Sequence, residues 1–361
     1  MKNIILTLML AATAAAPCAA QQTKVLSAEK HNEYGLVYSL PLTALEITIT
    51  AEKETLIAGP YSNFAKKYLA ADKVISESGE KWTIKNISVR PYGAINPDEN
   101  SQYLMQLKPG STTFIGVDRD GMLLSINREP QVPVPAEPYS PVPDDKPLTG
   151  KEYLKYVNED FIASQSSAKQ AQMLSENIME IRDAYISLTR GTADNMPTDG
   201  RQLELMLNSL QAQEKALTAA FTGCSYTESV CRTYTFLPED DEESVLLRFS
   251  DFKGFCAPTD YAGAPVTMRV AVTARGTLPA DANGVEKQLP KDAVRYCIPG
   301  NARISILFDG QTLYNKEMEF AQMGIQFGLD PKLFTDKKNP SYAIFDPVTG
   351  GLLDLGALPR Q

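Results

Sequence analysis

The chain has one histidine, His31, and one tryptophan, Trp82, in 361 residues. Scarcity of histidine removes the usual general base. Ser-His-Asp and Cys-His hydrolysis both need an imidazole beside the nucleophile, and His31 lies near the N-terminus outside every patterned segment. Zinc is disfavoured for the same reason, since the cysteines show no close Cys-x-x-Cys spacing and have no histidine partners. No glycine-rich phosphate loop occurs. Basic residues are also in deficit, with Lys+Arg at 35 against Asp+Glu at 44 and a net charge of −9. That balance argues against nucleic acid, which needs a basic footprint, and against anionic lipid surfaces. No apolar run is long enough to cross a bilayer, and the proline-rich and helical stretches argue against an outer-membrane barrel. No cofactor or metal site is expected, and the chain reads as a non-enzyme. A glycoside hydrolase built on paired carboxylates needs no histidine and stands as a lesser alternative.

What is present first is a leader. Lys2 supplies a positive start, Ile4 to Ala16 an apolar stretch, and Cys18-Ala19-Ala20 a small-residue cleavage site. Residues 1–20 are therefore expected to be a signal peptide cut after Ala20, which makes the mature net charge −10 because the leader carries one lysine and no acid. Acylation of Cys18 is the alternative, and Pro17 in front of it argues against a lipidated cysteine. Export also governs the remaining cysteines, Cys224, Cys231, Cys256 and Cys297, which are expected to form disulfides. Strand register suggests the pairs. In a hairpin centred near Asp240, Cys224 and Cys256 are equally distant from the turn and face each other, which leaves Cys231 for Cys297.

Along the mature chain the hydrophobic period changes three times. Residues 30–128 read as a β-rich domain with alternating strands such as Leu45 to Thr50. One short helix interrupts it after Gly59-Pro60, and its stripe of Tyr61, Phe64, Ala65, Tyr68 and Leu69 is expected to dock on a sheet. Asp118-Arg-Asp-Gly121 reads as a turn. Residues 129–149 carry proline at 130, 133, 135, 138, 141, 143 and 147, which marks a stiff linker.

Residues 150–223 form a helical hairpin. Leu174, Ile178, Ile181, Tyr185 and Leu188 repeat at helical intervals, with Ser167 and Gln170 resembling a capping box. After a break at Asn195-Met-Pro197, a second helix carries Leu203, Met206, Leu207, Leu210, Leu217 and Phe221. The short connection predicts antiparallel packing. Residues 224–356 return to strands, with Pro238 to Glu242 as an acidic hairpin tip. The fold class is thus α+β, with two mostly antiparallel β regions around a helical hairpin.

The two β regions resemble each other. Tyr38-Ser-Leu40-Pro41 matches Tyr296-Cys-Ile298-Pro299, each leads into an alternating strand, and each region closes with a glycine-turn hairpin ending in Leu-Leu. A duplicated β unit is expected.

The chain also resembles the exported Bacteroidota proteins known as domain of unknown function 4831. The resemblance rests on Tyr38-x-Leu40-Pro41, Gly59-Pro60-Tyr61 with Ala65 and Tyr68-Leu69, Asp194-Asn195-Met196-Pro197-x-Asp199-Gly200, Phe221-Thr222-Gly223 and Ala321-Gln322-x-Gly324. It implies an envelope address in a Gram-negative bacterium and carries over no catalytic residue. The expected role is a structural or protein-binding module in the periplasm or at the outer membrane, with an envelope protein as partner. A glycan-binding module, suggested by 16 tyrosines, is the alternative.

Overall fold

The computed structural model describes residues 35–97, 102–106, 113–130, 148–290, 292–336 and 339–358. The expected leader with Cys18, His31 and residues 131–147 of the linker lie outside them. The first β segment forms β1 Gly35–Ser39, β2 Leu42–Ile57, helix α1 Ala65–Leu69, β3 Gly79–Ala94, β4 Gln102–Gln106, β5 Ile115–Val117 and β6 Leu123–Ile126. Helices α2 Glu159–Ala163, α3 Ser167–Arg190 and α4 Gly200–Thr222 follow. The second β segment forms β7 Cys224–Phe236, β8 Glu242–Ser250, β9 Gly254–Cys256, β10 Ala264–Ala274, β11 Val294–Phe308 and β12 Gln311–Leu329. Helix α5 Lys332–Thr335 and strands β13 Ser341–Phe345 and β14 Leu352–Ala357 end it. The architecture is α+β with antiparallel sheets, as the periodicity predicts.

Two sheets make the main sandwich. The three-stranded sheet β3-β2-β7 faces the five-stranded sheet β12-β11-β10-β8-β9. Alternation along β2 sends Leu45, Ile47, Ile49 and Ala51 inward, where they meet Leu247, Val266, Met268, Ile304, Ile306 and Phe320. A second core gathers Tyr38, Leu123 and Ile126 with Tyr296, Phe327, Ala343 and Phe345 under the sheets β1-β4 and β14-β13-β6-β5. Both cores take residues from both β segments. The segments expected at 30–128 and 224–356 therefore share their hydrophobic interiors, the apolar faces of β2 and β11 lying in one core.

The two β segments match each other in backbone geometry. Tyr38 pairs with Tyr103 across β1-β4, and Tyr296 pairs with Phe327 across β11-β12. Ser39 N–H donates to Gly121 O at 2.9 Å, and Cys297 N–H donates to Gly350 O at 3.0 Å. The closing hairpins agree residue by residue. Ile115↔Ile126, Gly116↔Ser125 and Val117↔Leu123 in one match Ala343↔Leu355, Ile344↔Asp354 and Phe345↔Leu352 in the other, and each has its bulge at the last step. Asp118 Oδ1 accepts the N–H groups of Asp120 and Met122, the expected turn, and Asp346 Oδ1 accepts that of Val348.

The helical hairpin has a third core. Its helices begin and end as their caps dictate: Ser166, not Ser167, accepts from Lys169 N–H, and Asp199 accepts from Arg201 N–H. Gly191 in the left-handed region closes α3. Leu174, Ile178, Ile181, Leu217, Ala220 and Phe221 pack on Tyr61, Ala65 and Phe161. The aromatic stripe after Gly59-Pro60 thus docks on the helical hairpin and not on a sheet, because the apolar seam of Leu174, Ile178, Leu217 and Phe221 lies against it.

Candidate interaction surface

Two of the motifs that carry the family resemblance are joints of the fold, while a third, Asp194 to Gly200, is the exposed turn between α3 and α4. Gln322 on β12 lies against Thr43 on β2, its side-chain oxygen accepting Thr43 N–H at 2.9 Å and its amide donating to Thr43 O at 2.9 Å and Pro238 O at 2.7 Å. Thr43 is fully buried; its hydroxyl accepts Ala321 N–H at 3.0 Å and donates to Val348 O at 3.1 Å. Two residues on, a Cβ at Gly324 would lie 2.1 Å from Ile298 O, so only glycine fits between the strands there. The second joint is the root of the helical hairpin. Tyr61 N–H donates to Ala220 O at 2.9 Å, and a Cβ at Gly59 would lie 2.5 Å from that oxygen. The Tyr61 ring packs edge-on to Phe161 and Tyr153, and its hydroxyl donates to Gln170 Oε1 at 3.1 Å.

The cysteines do not pair as register suggested. Cys224, Cys231, Cys256 and Cys297 are free thiols. The expectation took β7 and β8 as one hairpin, whereas β7 pairs with β2 and β8 with β10. Cys224 sits opposite Ile57, Cys231 opposite Thr50, Cys256 opposite Arg248 and Cys297 opposite Gln326, in two different sheets. Pro238 to Glu242 is accordingly a crossing between sheets rather than a hairpin tip. Its acids pin that crossing: Asp240 meets Arg275 at 2.6 Å and Asp241 accepts Val272 N–H at 2.7 Å. Cys297 is buried, and desolvation pushes its thiol up to about 12. Such a thiol stays protonated and unreactive at neutral pH.

Among the described residues, no group of three His, Cys, Asp or Glu side chains is placed to hold a metal ion, and no helix is long and apolar enough to cross a membrane. A depression of ≈ 410 Å³ on the outer face of β10 and β11, lined by Glu243, Thr267, Arg269, Phe308 and Asp309, is open to solvent.

The surface that stands out is the outer half of the helical hairpin. Near the root both helices pack on Tyr61, Ala65, Phe161 and Tyr153. Beyond the Arg182–Glu214 ion pair, at 2.6 Å, the core among the described residues keeps only half-buried Leu210 from the two helices, with Leu188 buried apart from it. α4 holds no buried residue before Ala216, and Leu188 is the last buried residue of α3. The two-helix arm is kept together by Gln211 Nε2 donating to Tyr185 Oη at 2.9 Å and by a half-buried seam of Leu203, Leu207 and Leu210. Ile186, Met196 and Met206 lie exposed on it, and Leu205 is 63% exposed. Sequence periodicity finds this seam but not its exposure, because a two-helix arm and a buried hairpin share one pattern.

A second exposed cluster lies beside the β8-β9 and β9-β10 turns. Tyr261 is 83% and Phe252 80% exposed. The Arg248 guanidinium stacks 4.4 Å from the Tyr261 ring centre and is fixed by donating to Pro258 O and Gly263 O. Lys253 and Asp260, 3.8 Å apart, tie the two turns together.

Residues 34–353 match the family described as Domain of unknown function (DUF4831), and the chain belongs to that family. No curated protein and no solved structure matches it.

Proposed function

We propose, with membership of that family as the premise, that the chain is an exported, non-catalytic cell-envelope protein whose helical arm binds a protein partner. The leader pattern at 1–20 supports an address in the periplasm or at the outer-membrane surface, and the family resemblance supports a Gram-negative, Bacteroidota source. The observation that carries the binding role is the arm itself: two long helices whose outer halves keep Ile186, Leu205 and Met206 in water. Helices that expose apolar side chains along their length lay them into a partner's groove or against partner helices.

Mild crosslinking of intact cells followed by affinity isolation tests this. The native chain is expected to bring down a discrete partner, and Leu205→Glu with Met206→Glu to lose it while keeping the native circular dichroism. Full retention by that variant contradicts the reading.

A second reading rests on Tyr261 and Phe252. Exposed rings beside a fixed guanidinium and a carboxylate suit a glycan, whose C–H faces stack on aromatics while its hydroxyls bond to charged groups. Glycan-array binding lost on Tyr261→Ala, with the arm variants unaffected, would favour it.

A further inference from the structure

The second copy of the repeat is open where the first is closed. β6 and β14 hold equivalent places in their hairpins, with Leu123, Ser125 and Ile126 matching Leu352, Asp354 and Leu355. In β6, Leu124 is 4% and Ile126 0% exposed; Ile126 faces the second core, and β13 pairs along the strand's outer side at Ile126↔Ala343 and Ser125↔Ile344. In β14 the matching Leu353 and Leu355 are 64% and 43% exposed, and among the described residues the sheet ends there. The other end of this sheet is β5, the equivalent of β13, with Phe114 exposed at its start. Among the described residues these two sheet edges have no strand partner, and they are the two halves of a joint that the molecule already makes once internally.

We propose that β14 of one molecule receives β5 of a second copy of this chain, repeating between molecules the β6-β13 pairing made within one. The repeat equivalence sets the register, with Leu355 opposite Ile115 and Asp354 opposite Gly116 of the second copy. Pairing satisfies edge N–H and C=O groups and removes Leu353, Leu355 and Phe114 from water. The joint is heterologous. Each added molecule uses one β5 and presents one new β14, so growth continues as an open chain or closes into a ring. This assembly leaves the helical arm free, and it stands or falls independently of what the arm binds.

Sedimentation velocity over roughly 1 μM to 1 mM, the range in which weak interfaces associate, tests the joint. The native chain is expected to grow past dimer mass with concentration. Two surface variants, Leu353→Lys with Leu355→Lys on β14 and Phe114→Lys beside β5, are each expected to stay monomeric with native circular dichroism. Mixed together, they are expected to form a 1:1 dimer, because each keeps the edge the other has lost. A native chain that remains monomeric throughout overturns the proposal. So does a β5 variant that still dimerises alone, which would mean a symmetric β14-β14 contact.

Discussion

Thr43 and Gln322 show how a polar pair can hold apolar layers in register. The fully buried Thr43 hydroxyl accepts Ala321 N–H and donates to Val348 O. Thr43→Val keeps the shape and removes the oxygen, leaving the buried Ala321 N–H and the half-buried Val348 O without that partner. A loss of about 1–3 kcal/mol in urea unfolding is expected. Burial of Cys297 has a different consequence. Its thiol is raised from an ordinary 9.0 to about 12, and the Tyr61 hydroxyl is raised by burial from 10.0 to about 12. The folded chain therefore keeps protons that the unfolded chain gives up. Stability from these groups is complete below pH 9 and falls as pH rises from about 9 toward 12, which thermal unfolding across that range would show. In the native state at pH 8, a thiol reagent should modify exposed Cys231 and leave Cys297 untouched until denaturant is added. Spacing alone could not reveal this chemistry: the cysteine count says how many thiols exist, while their sheets decide which of them meet.

At the scale of elements, periodicity was a good guide to type and a poor one to partners. The apolar repeat from Leu174 to Leu188 places α3, and alternation from Leu45 to Thr50 places β2, because each depends on neighbours along the chain. The pairing of β7 with β2 was not legible. A strand with one polar and one half-buried face fits several edges, and only the assembled sandwich selects one. The same limit hid the difference between root and tip of the helical hairpin. Leu217 is fully buried and Leu205 mostly exposed, although both belong to α4. Leu217→Ala should cost about 2–5 kcal/mol by leaving a cavity among Tyr61, Phe161 and Phe221. Leu205→Glu should leave the thermal midpoint nearly unchanged and act on binding alone.

At the scale of the whole molecule, the short match of Tyr38-x-Leu40-Pro41 with Tyr296-x-Ile298-Pro299 was the most far-reaching sequence signal. It marks equivalent bends at which both hairpins leave the sandwich and enter the second core, joined to their closing turns through Ser39 and Cys297. The motifs around Gly59-Pro60-Tyr61 and Ala321-Gln322-x-Gly324 are joints of this frame, whereas Asp194 to Gly200 forms the exposed tip of the arm. What the frame displays is the arm, the aromatic cluster and the sheet edge. Their exposure is a tertiary property that no local pattern encodes. The central claim, that the arm is the partner-binding surface, is tested most directly by placing a photocrosslinking side chain at one position at a time in intact cells. Positions 186 and 205 sample the arm, 252 the aromatic cluster and 353 the sheet edge. The account expects a discrete adduct with another protein from 186 and 205; adducts from 252 alone, or none from either arm position, would contradict it.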